Sequence, residues 1–194
     1  MKKIMFNDQY GLTQAVLEGR KTQTRRIAYQ EPFKFYCNCG FCTEGKDKGK
    51  LFINDGNEIV AKSTYKIGEV VAVAQRYNYI PFTDEIFIGA GFCIGWLNKM
   101  FVKSNLMPHQ IMITKIRCER LQDISTDDCM KEGIYCSHNE GTAYPYSYDA
   151  TNDRFKPKRW YRTPIEAYKM LSCKLHLHWD SNPLVFVYDF ILVK

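Results

Sequence analysis

A short basic segment holds the residue types most suited to chemistry. Four cationic side chains, Arg20, Lys21, Arg25 and Arg26, stand within seven positions after a predicted helix. Like charges nearby lower the pKa of a lysine, and a lysine with a lowered pKa can act as a general base at neutral pH. Thr24 follows three residues later and offers a hydroxyl for that base to activate. The segment has no amphipathic pattern, so it is predicted to be a loop. The alternative is that it is only a solvated basic loop.

Glu132 is the second candidate. It falls in the last turn of a predicted helix, just before Gly133. A carboxylate there faces the negative end of the helix dipole, which costs about 0.3–1 kcal/mol. Conflicts of this kind are commoner at functional sites. Taken alone, the better interpretation is an exposed carboxylate that is tolerated or paired with a nearby lysine.

The third candidate is the segment 154–162, where five cations are interleaved with three aromatic residues. Cations suit phosphates, and ring faces suit unstacked bases, so this pattern is typical of contact with single-stranded RNA. Arg159 and Trp160 are the residues chosen for that role. A surface loop anchored by its aromatic side chains explains the pattern equally well.

The cysteines do not form a convincing metal site. Cys37, Cys39 and Cys42 lie close together, but zinc sites need four ligands, and one spacing is too short. Cys136 and His138 are the candidates for a further ligand. Free thiols are the preferred interpretation, and neither a metal nor a cofactor is predicted.

The composition is that of an ordinary globular protein. The chain has 194 residues, of which 45% are hydrophobic and 25% charged, with a formal net charge of +6. This charge is compatible with a polyanionic partner but does not require one. No apolar leader and no apolar run of about 20 residues is present. The sequence therefore predicts a cytoplasmic protein with reduced thiols and no membrane partner.

The elements that would position these residues do not alternate regularly. Helices are predicted at 8–18, 125–132 and 163–182, and strands at 51–53, 58–60, 70–74, 110–121 and 184–193. The irregular order disfavours a doubly wound parallel sheet and favours an α+β fold built on a mixed β-barrel.

Several blocks of the sequence resemble the ASCH domain family, a branch of the PUA-like superfamily. The basic segment matches the family pattern G-x-K-x-x-x-x-R through Gly19, Lys21 and Arg26, with threonines at 22 and 24. Further similar blocks are Tyr65-Lys66-x-Gly68-Glu69-Val70-Val71, Leu121-Gln122-Asp123-Ile124, Glu132-Gly133-Ile134 and Trp179-Asp180-x-Asn182-Pro183. The resemblance, which extends to ASCH proteins of phages and of Bacteroides-type bacteria, implies one PUA-like domain over 1–194. Its fold would be a mixed β-barrel with a few flanking short helices and insertions at about 31–62 and 136–162.

The resemblance also implies functions. PUA-like proteins bind RNA, and a small bacterial ASCH enzyme deacetylates N4-acetylcytidine with a lysine, a threonine and a glutamate. By motif these fall on Lys21 as base, Thr24 as nucleophile and Glu132 as the residue that tunes and orients Lys21. The predicted ligand-binding residues are Gly19, Arg20, Arg25, Arg26, Gln75, Arg159 and Trp160.

One departure from the family pattern bears on the ligand. Many relatives carry an Arg-Glu pair where this chain has Ala74 and Gln75, and the chain is nearly twice as long as the small amidohydrolase. A different or larger ligand is therefore expected. Three functions stay open. The first is RNA or nucleotide binding in RNA metabolism, ranked slightly ahead. The second is amide hydrolysis on an acylated nucleoside, and the third is a phage-derived accessory module that binds protein.

Overall fold

The computed structural model describes residues 1–29, 39–41, 49–53, 58–81, 94–138, 140, 145–150 and 159–193. Within these residues the chain has an α+β fold. The strands are β1 Lys3–Ile4, β2 Gln23–Tyr29, β3 Cys39–Phe41, β4 Lys50–Ile53, β5 Glu58–Lys62, β6 Val70–Val73, β7 Gln110–Arg120, β8 Tyr135–His138, β9 Tyr146–Asp149 and β10 Leu184–Leu192. The helices are α1 Leu12–Leu17, α2 Thr126–Lys131 and α3 Pro164–Lys174, with short 3₁₀ turns between elements.

A five-stranded mixed sheet forms the centre of the fold. Its strand order is β1-β6-β7-β10-β2, with β1 parallel to β6 and the other neighbours antiparallel. Among the described residues this order does not close into a barrel. The long strands β7 and β10 pair along most of their length, with a bulge between Asp189 and Phe190. In the sequence of β7, apolar residues alternate with polar ones except for one break between Ile113 and Ile116. The bulge lies opposite this break, because a bulge adds one residue to one strand.

Two smaller sheets lie outside the central one. Strands β3, β4 and β5 form a three-stranded antiparallel sheet, and β8 and β9 form a hairpin. Asp55-Gly56 between two short apolar runs predicts a hairpin in this segment. The antiparallel pairing of β4 with β5 confirms it, and Asp55 and Gly56 themselves lie outside the described residues.

Two of the three helices, α2 and α3, begin at side-chain caps. The first predicted helix, 8–18, is divided by Gly11 at φ 64° into a 3₁₀ turn, Asp8–Tyr10, and α1, which begins at Leu12. The Ser125 side chain accepts a hydrogen bond from Asp128 N at the start of α2. Thr163 and Glu166 form both bonds of a capping box at the start of α3. Gly19 follows α1 with φ +72°, a conformation that glycine adopts without the strain other residues incur.

Two local predictions are wrong. The third helix ends at Lys174 and not near 182, because His176 and His178 adopt left-handed conformations with φ of 57° and 52°. The sequence predicts one apolar stripe on this helix that includes Tyr168, Leu171 and Trp179. Trp179 lies beyond the end of the helix and is nevertheless buried in the same core as the other two. The segment 19–26 is not a loop throughout, because β2 begins at Gln23.

The main core lies between the central sheet and the helices. It joins apolar residues of β6, β7 and β10 to residues of α1 and α3. A smaller cluster lies around Ala72, Ala74 and Tyr77. None of the helices in the described residues has the length and hydrophobicity that a membrane span requires.

Candidate active site

A buried ion pair between Lys21 and Glu132 lies at the centre of the candidate site. Lys21 Nζ is 2.5 Å from Glu132 Oε2, and the two side chains are 1% and 3% exposed. The same ammonium donates to the Glu132 main-chain carbonyl at 2.8 Å, at the C-terminal end of α2. Carbonyls there have no partner within the helix, and a cation is favourable beside them. A lysine 111 positions away therefore offsets the unfavourable location that the sequence showed for Glu132.

Main-chain contacts hold Lys21 beside α2. Lys21 N donates to Ala15 O of α1 at 2.9 Å, and Thr22 N donates to Lys131 O of α2 at 2.9 Å. Gly133 follows with φ +99°, and a Cβ on it would lie 3.3 Å from Lys21 Cβ. The glycine thus lets the lysine chain pass close to the end of the helix.

Arg25 fixes the other oxygen of the glutamate. Its side chain is fully buried, and Nη1 donates to Glu132 Oε1 at 3.1 Å. Nη2 donates to Glu119 Oε1 at 2.6 Å and to Asp128 Oδ2 at 3.1 Å. Arg117 also bonds Glu119 and Asp128. One cation therefore lies at each oxygen of Glu132, and the network behind it fixes the orientation of the carboxylate.

The pKa of Lys21 is below its ordinary value. Burial is the largest cause, because a dry environment disfavours the ammonium. The charge and hydrogen bond of Glu132 oppose this shift, while the charges of Arg26 and Arg25 add to it. The sequence predicted the direction from neighbouring cations alone. Burial, which the sequence did not reveal, contributes more.

Thr24 shares a pocket with this pair. It lies on β2 opposite Tyr188 of β10, and its side chain is largely buried. Among the described residues, no hydrogen bond engages its hydroxyl. An open pocket of about 750 Å³ is lined by Lys21, Thr24 and Glu132 together, and we call it the basic pocket. Its volume falls within the range of small-molecule sites, roughly 300–1,000 Å³.

The walls of the basic pocket carry more positive than negative charge. The basic residues that line it are Lys21, Arg25, Arg26, Arg76, Lys99 and Lys174. Asp8 and Glu132 are its acidic residues. Apolar surface comes from Phe6, Leu12, Leu97 and Leu177, among others. Such a pocket suits a ligand that has both an apolar or aromatic body and negative charge.

The remaining predicted residues lie away from the pocket wall. Arg20 pairs with Glu18 at 2.7 Å, and Gly19 closes the end of α1. Gln75 is buried, and its backbone N–H points to Met107 Sδ. Arg159 and Trp160 are exposed near the β8–β9 hairpin. Of the seven predicted ligand-binding residues, Arg25 and Arg26 line the basic pocket.

Sequence reasoning missed Asp8, Arg76 and Lys99. They come from the turn before α1, the segment after β6 and a 3₁₀ turn beyond it. None of the three residues belongs to a motif, and no periodic pattern in the sequence places Arg76 or Lys99 near Asp8. Only the tertiary fold brings them to the same pocket.

The cysteine cluster remains a prediction. Cys37 and Cys42 lie outside the described residues, and Cys39 begins β3. Cys118, Cys129, Cys136 and Cys173 form no disulfide within the described residues. In the described part of the chain, no group of three or more His, Cys, Asp and Glu residues has metal-binding geometry.

Comparison with known proteins adds no relative. No protein-family model, no curated protein and no solved structure matches the chain. The ASCH resemblance therefore stands on the motif residues alone, and the role of the basic pocket has to be argued from its own geometry.

Proposed function

We propose that the chain is an ASCH-type, PUA-like domain that binds a nucleoside in the basic pocket and hydrolyses an amide on it. The observation that carries the proposal is the buried Lys21–Glu132 pair, which lines the same pocket as Thr24. A base, a hydroxyl and an orienting carboxylate in one concave site form the constellation of nucleophilic catalysis. The motif resemblance independently selects the same three residues.

The reaction would proceed through an acyl-threonine. Neutral Lys21 takes the proton of Thr24 Oγ1 as that oxygen attacks the amide carbonyl. Collapse of the tetrahedral intermediate breaks the C–N bond, and the leaving amine receives the proton from Lys21. Water then attacks the ester, with Lys21 again as the base, and releases the carboxylic acid and free Thr24. Glu132 keeps the lysine amine in position through both steps.

The environment of Lys21 suits this role. A lowered pKa increases the fraction of neutral amine at neutral pH, which a base requires. The Arg25 contact leaves Glu132 shared between two cations, so the carboxylate does not act on Lys21 alone. Arg26, on the pocket wall, would stabilise negative charge that develops on the carbonyl oxygen.

Binding without turnover is the second candidate. Six basic residues against two acidic residues line the pocket, which favours a nucleotide or an RNA segment as ligand. Exposed Arg159 and Trp160 would extend such a contact with a cation and a stacking surface. On this view the Lys21–Glu132 pair is structural.

The test compares hydrolysis of N4-acetylcytidine by the wild-type protein and three variants, Lys21→Met, Thr24→Val and Glu132→Gln. Each is expected to lower kcat/KM by at least about 10²-fold, the scale of a lost general base or nucleophile. Lys21→Met is suitable because Arg25 still neutralises Glu132. The measurement is release of cytidine, with circular dichroism and thermal unfolding to verify folding.

Two matched variants serve as controls. Thr22→Val alters a threonine on the same segment that does not line the pocket, and Lys131→Met alters an exposed lysine at the end of α2. Both should retain wild-type turnover. Intact turnover in folded Lys21→Met protein would rule out the proposed base.

A further inference from the structure

Three cations crowd one wall of the basic pocket. Arg26 of β2, Arg76 after β6 and Lys99 of a 3₁₀ turn all line it. The pKa of Lys99 is lowered, first by burial; the hydrogen bond and charge of Asp8 oppose this shift, and the charges of Arg76 and Arg26 add to it. Arg26 and Lys99 donate to neighbouring main-chain carbonyls, Met5 O and Phe6 O, so these two cations lie close to each other. Repulsion between neighbouring cations is relieved when an anion binds between them.

Within the described part of the chain, no carboxylate forms a salt bridge with Arg26 or Arg76. The Arg26 side chain donates a hydrogen bond to Met5 O at 2.5 Å. The Arg76 guanidinium lies 5.8 Å from the ring centroid of exposed Tyr79. A guanidinium carries five N–H donors, so most donors of both arginines are available to a ligand.

The N-terminal segment orients two of the three cations. Arg26 donates to Met5 O, and Lys99 donates to the next carbonyl, Phe6 O. Lys99 also pairs with Asp8 Oδ1 at 2.7 Å and contacts Thr13 Oγ1 at 3.1 Å. These three contacts occupy the three N–H donors of Lys99, so Lys99 acts on an anion through its charge and not through a spare donor. Because both side chains are already held in place, little ordering is needed when an anion arrives.

We propose that Arg26, Arg76 and Lys99 form a binding site for a phosphate monoester, so that the pocket accepts a nucleoside 5′-monophosphate in preference to a nucleoside. The three cations and Asp8 together carry a net charge of about +2, which matches the roughly −1.5 to −2 of a phosphate monoester near pH 7. A phosphodiester of RNA carries −1 and would leave the site undercompensated. Arginine forks also match the tetrahedral oxygens of a terminal phosphate through paired hydrogen bonds.

The inference deepens the proposed function and rests on it for the nucleoside body, but not for the phosphate. Lys21, Thr24 and Glu132 would act on the base end of the ligand, while the three cations hold its phosphate. Lys174, on the same pocket, is a further cation without a salt bridge among the described residues.

Equilibrium binding, measured by isothermal titration calorimetry, tests the site in the full chain. The probes are inorganic phosphate, the four common nucleoside 5′-monophosphates, their nucleosides, and single-stranded RNA that lacks terminal phosphates. At least one monophosphate should bind ten or more times more tightly than its nucleoside. Arg76→Gln and Lys99→Met should each weaken monophosphate and inorganic phosphate binding about tenfold and leave nucleoside binding unchanged.

The outcomes that overturn the site are separate from those that overturn hydrolysis. Equal affinity for monophosphates and nucleosides, or phosphate binding that Arg76→Gln does not weaken, refutes it. The proposed site is also refuted if RNA without terminal phosphates binds as tightly as a monophosphate and Arg76→Gln weakens that binding. This result would assign the three cations to a phosphodiester. Lys66→Met, at an exposed lysine that does not line the pocket, is the charge-matched control. The catalytic proposal would be refuted, and the phosphate site retained, if the wild-type protein shows no hydrolysis while Lys21→Met still binds monophosphate.

Discussion

At the residue scale, burial of charge dominates this molecule. Lys21, Arg25 and Glu132 are nearly inaccessible, and buried charges persist only when paired and hydrogen-bonded. The sequence identified Lys21 by the motif, Glu132 by its unfavourable location at the end of a helix, and Arg25 only as a member of the basic segment. It could not show that Arg25 is held by three carboxylates from β7 and α2, because the partners lie about a hundred positions away.

The lowered pKa of Lys21 predicts a stability effect. Where the folded protein holds Lys21 neutral and the unfolded chain still protonates it, the unfolded state binds more protons, so stability rises with pH. This window runs from the lowered folded pKa to the ordinary value of 10.5. The free energy of unfolding of the wild type, minus that of Lys21→Met, should therefore increase with pH, by at most about 1.4 kcal/mol per pH unit.

Urea unfolding at several pH values between 7 and 10 measures this difference. Subtraction is needed because burial raises the pKa of Cys129 to about 12 and also raises the pKa of Tyr168. These two groups make the free energy of unfolding fall as pH rises, which is opposite to the effect of Lys21. Lys131→Met, at an exposed lysine, is the matched control. A difference for Lys21→Met that does not change with pH would show that Lys21 has an ordinary pKa.

At the element scale, local signals predicted the structure well and non-local ones did not. The start of α2 at Ser125 and the capping box of α3 follow from residues within four positions of each other. The parallel pairing of β1 with β6 joins segments almost 70 residues apart, and nothing in either segment encodes it. The sequence predicts a loop for the basic stretch because the start of β2 buries three consecutive polar residues, Gln23, Thr24 and Arg25, and therefore lacks an apolar pattern.

The end of α2 offers an element-scale prediction. Gly133→Ala and Gly68→Ala both place a side chain at positive φ, which costs about 1–2 kcal/mol. At Gly68 nothing lies within 4 Å of the added Cβ, whereas at Gly133 the Cβ meets Lys21 at 3.3 Å and Ala15 at 3.5 Å. We expect Gly133→Ala to cost more stability than Gly68→Ala in urea unfolding, and it alone should reduce N4-acetylcytidine hydrolysis. Equal losses of stability and activity would mean that close passage of Lys21 is unimportant.

At the scale of the whole molecule, the location of charge matters more than its total. The net charge of +6 is modest. The positive charges of Arg25 and Arg117 are paired with carboxylates of the same chain. Arg26, Arg76 and Lys174, which have no carboxylate partner among the described residues, all line the basic pocket. This arrangement suits a small anion more than a long polyanion, which would need a continuous basic track.

The salt dependence of binding separates these two kinds of ligand. A polymer releases condensed counterions, so a protein that contacts 6–10 phosphates of duplex DNA loses about 10³–10⁵-fold in affinity between 50 and 200 mM salt. A nucleoside monophosphate has no such ion atmosphere, and its site lies in a partly enclosed pocket where screening is weaker. We therefore expect its affinity to fall by less than about tenfold over that range, measured by calorimetry, and Arg159→Gln to leave it unchanged because Arg159 does not line the pocket. The opposite result would be that single-stranded RNA binds more tightly than any monophosphate and that its affinity falls steeply with salt. If Arg159→Gln then reduces the slope of log affinity against log salt concentration by about 0.7, the ligand lies along the outer surface.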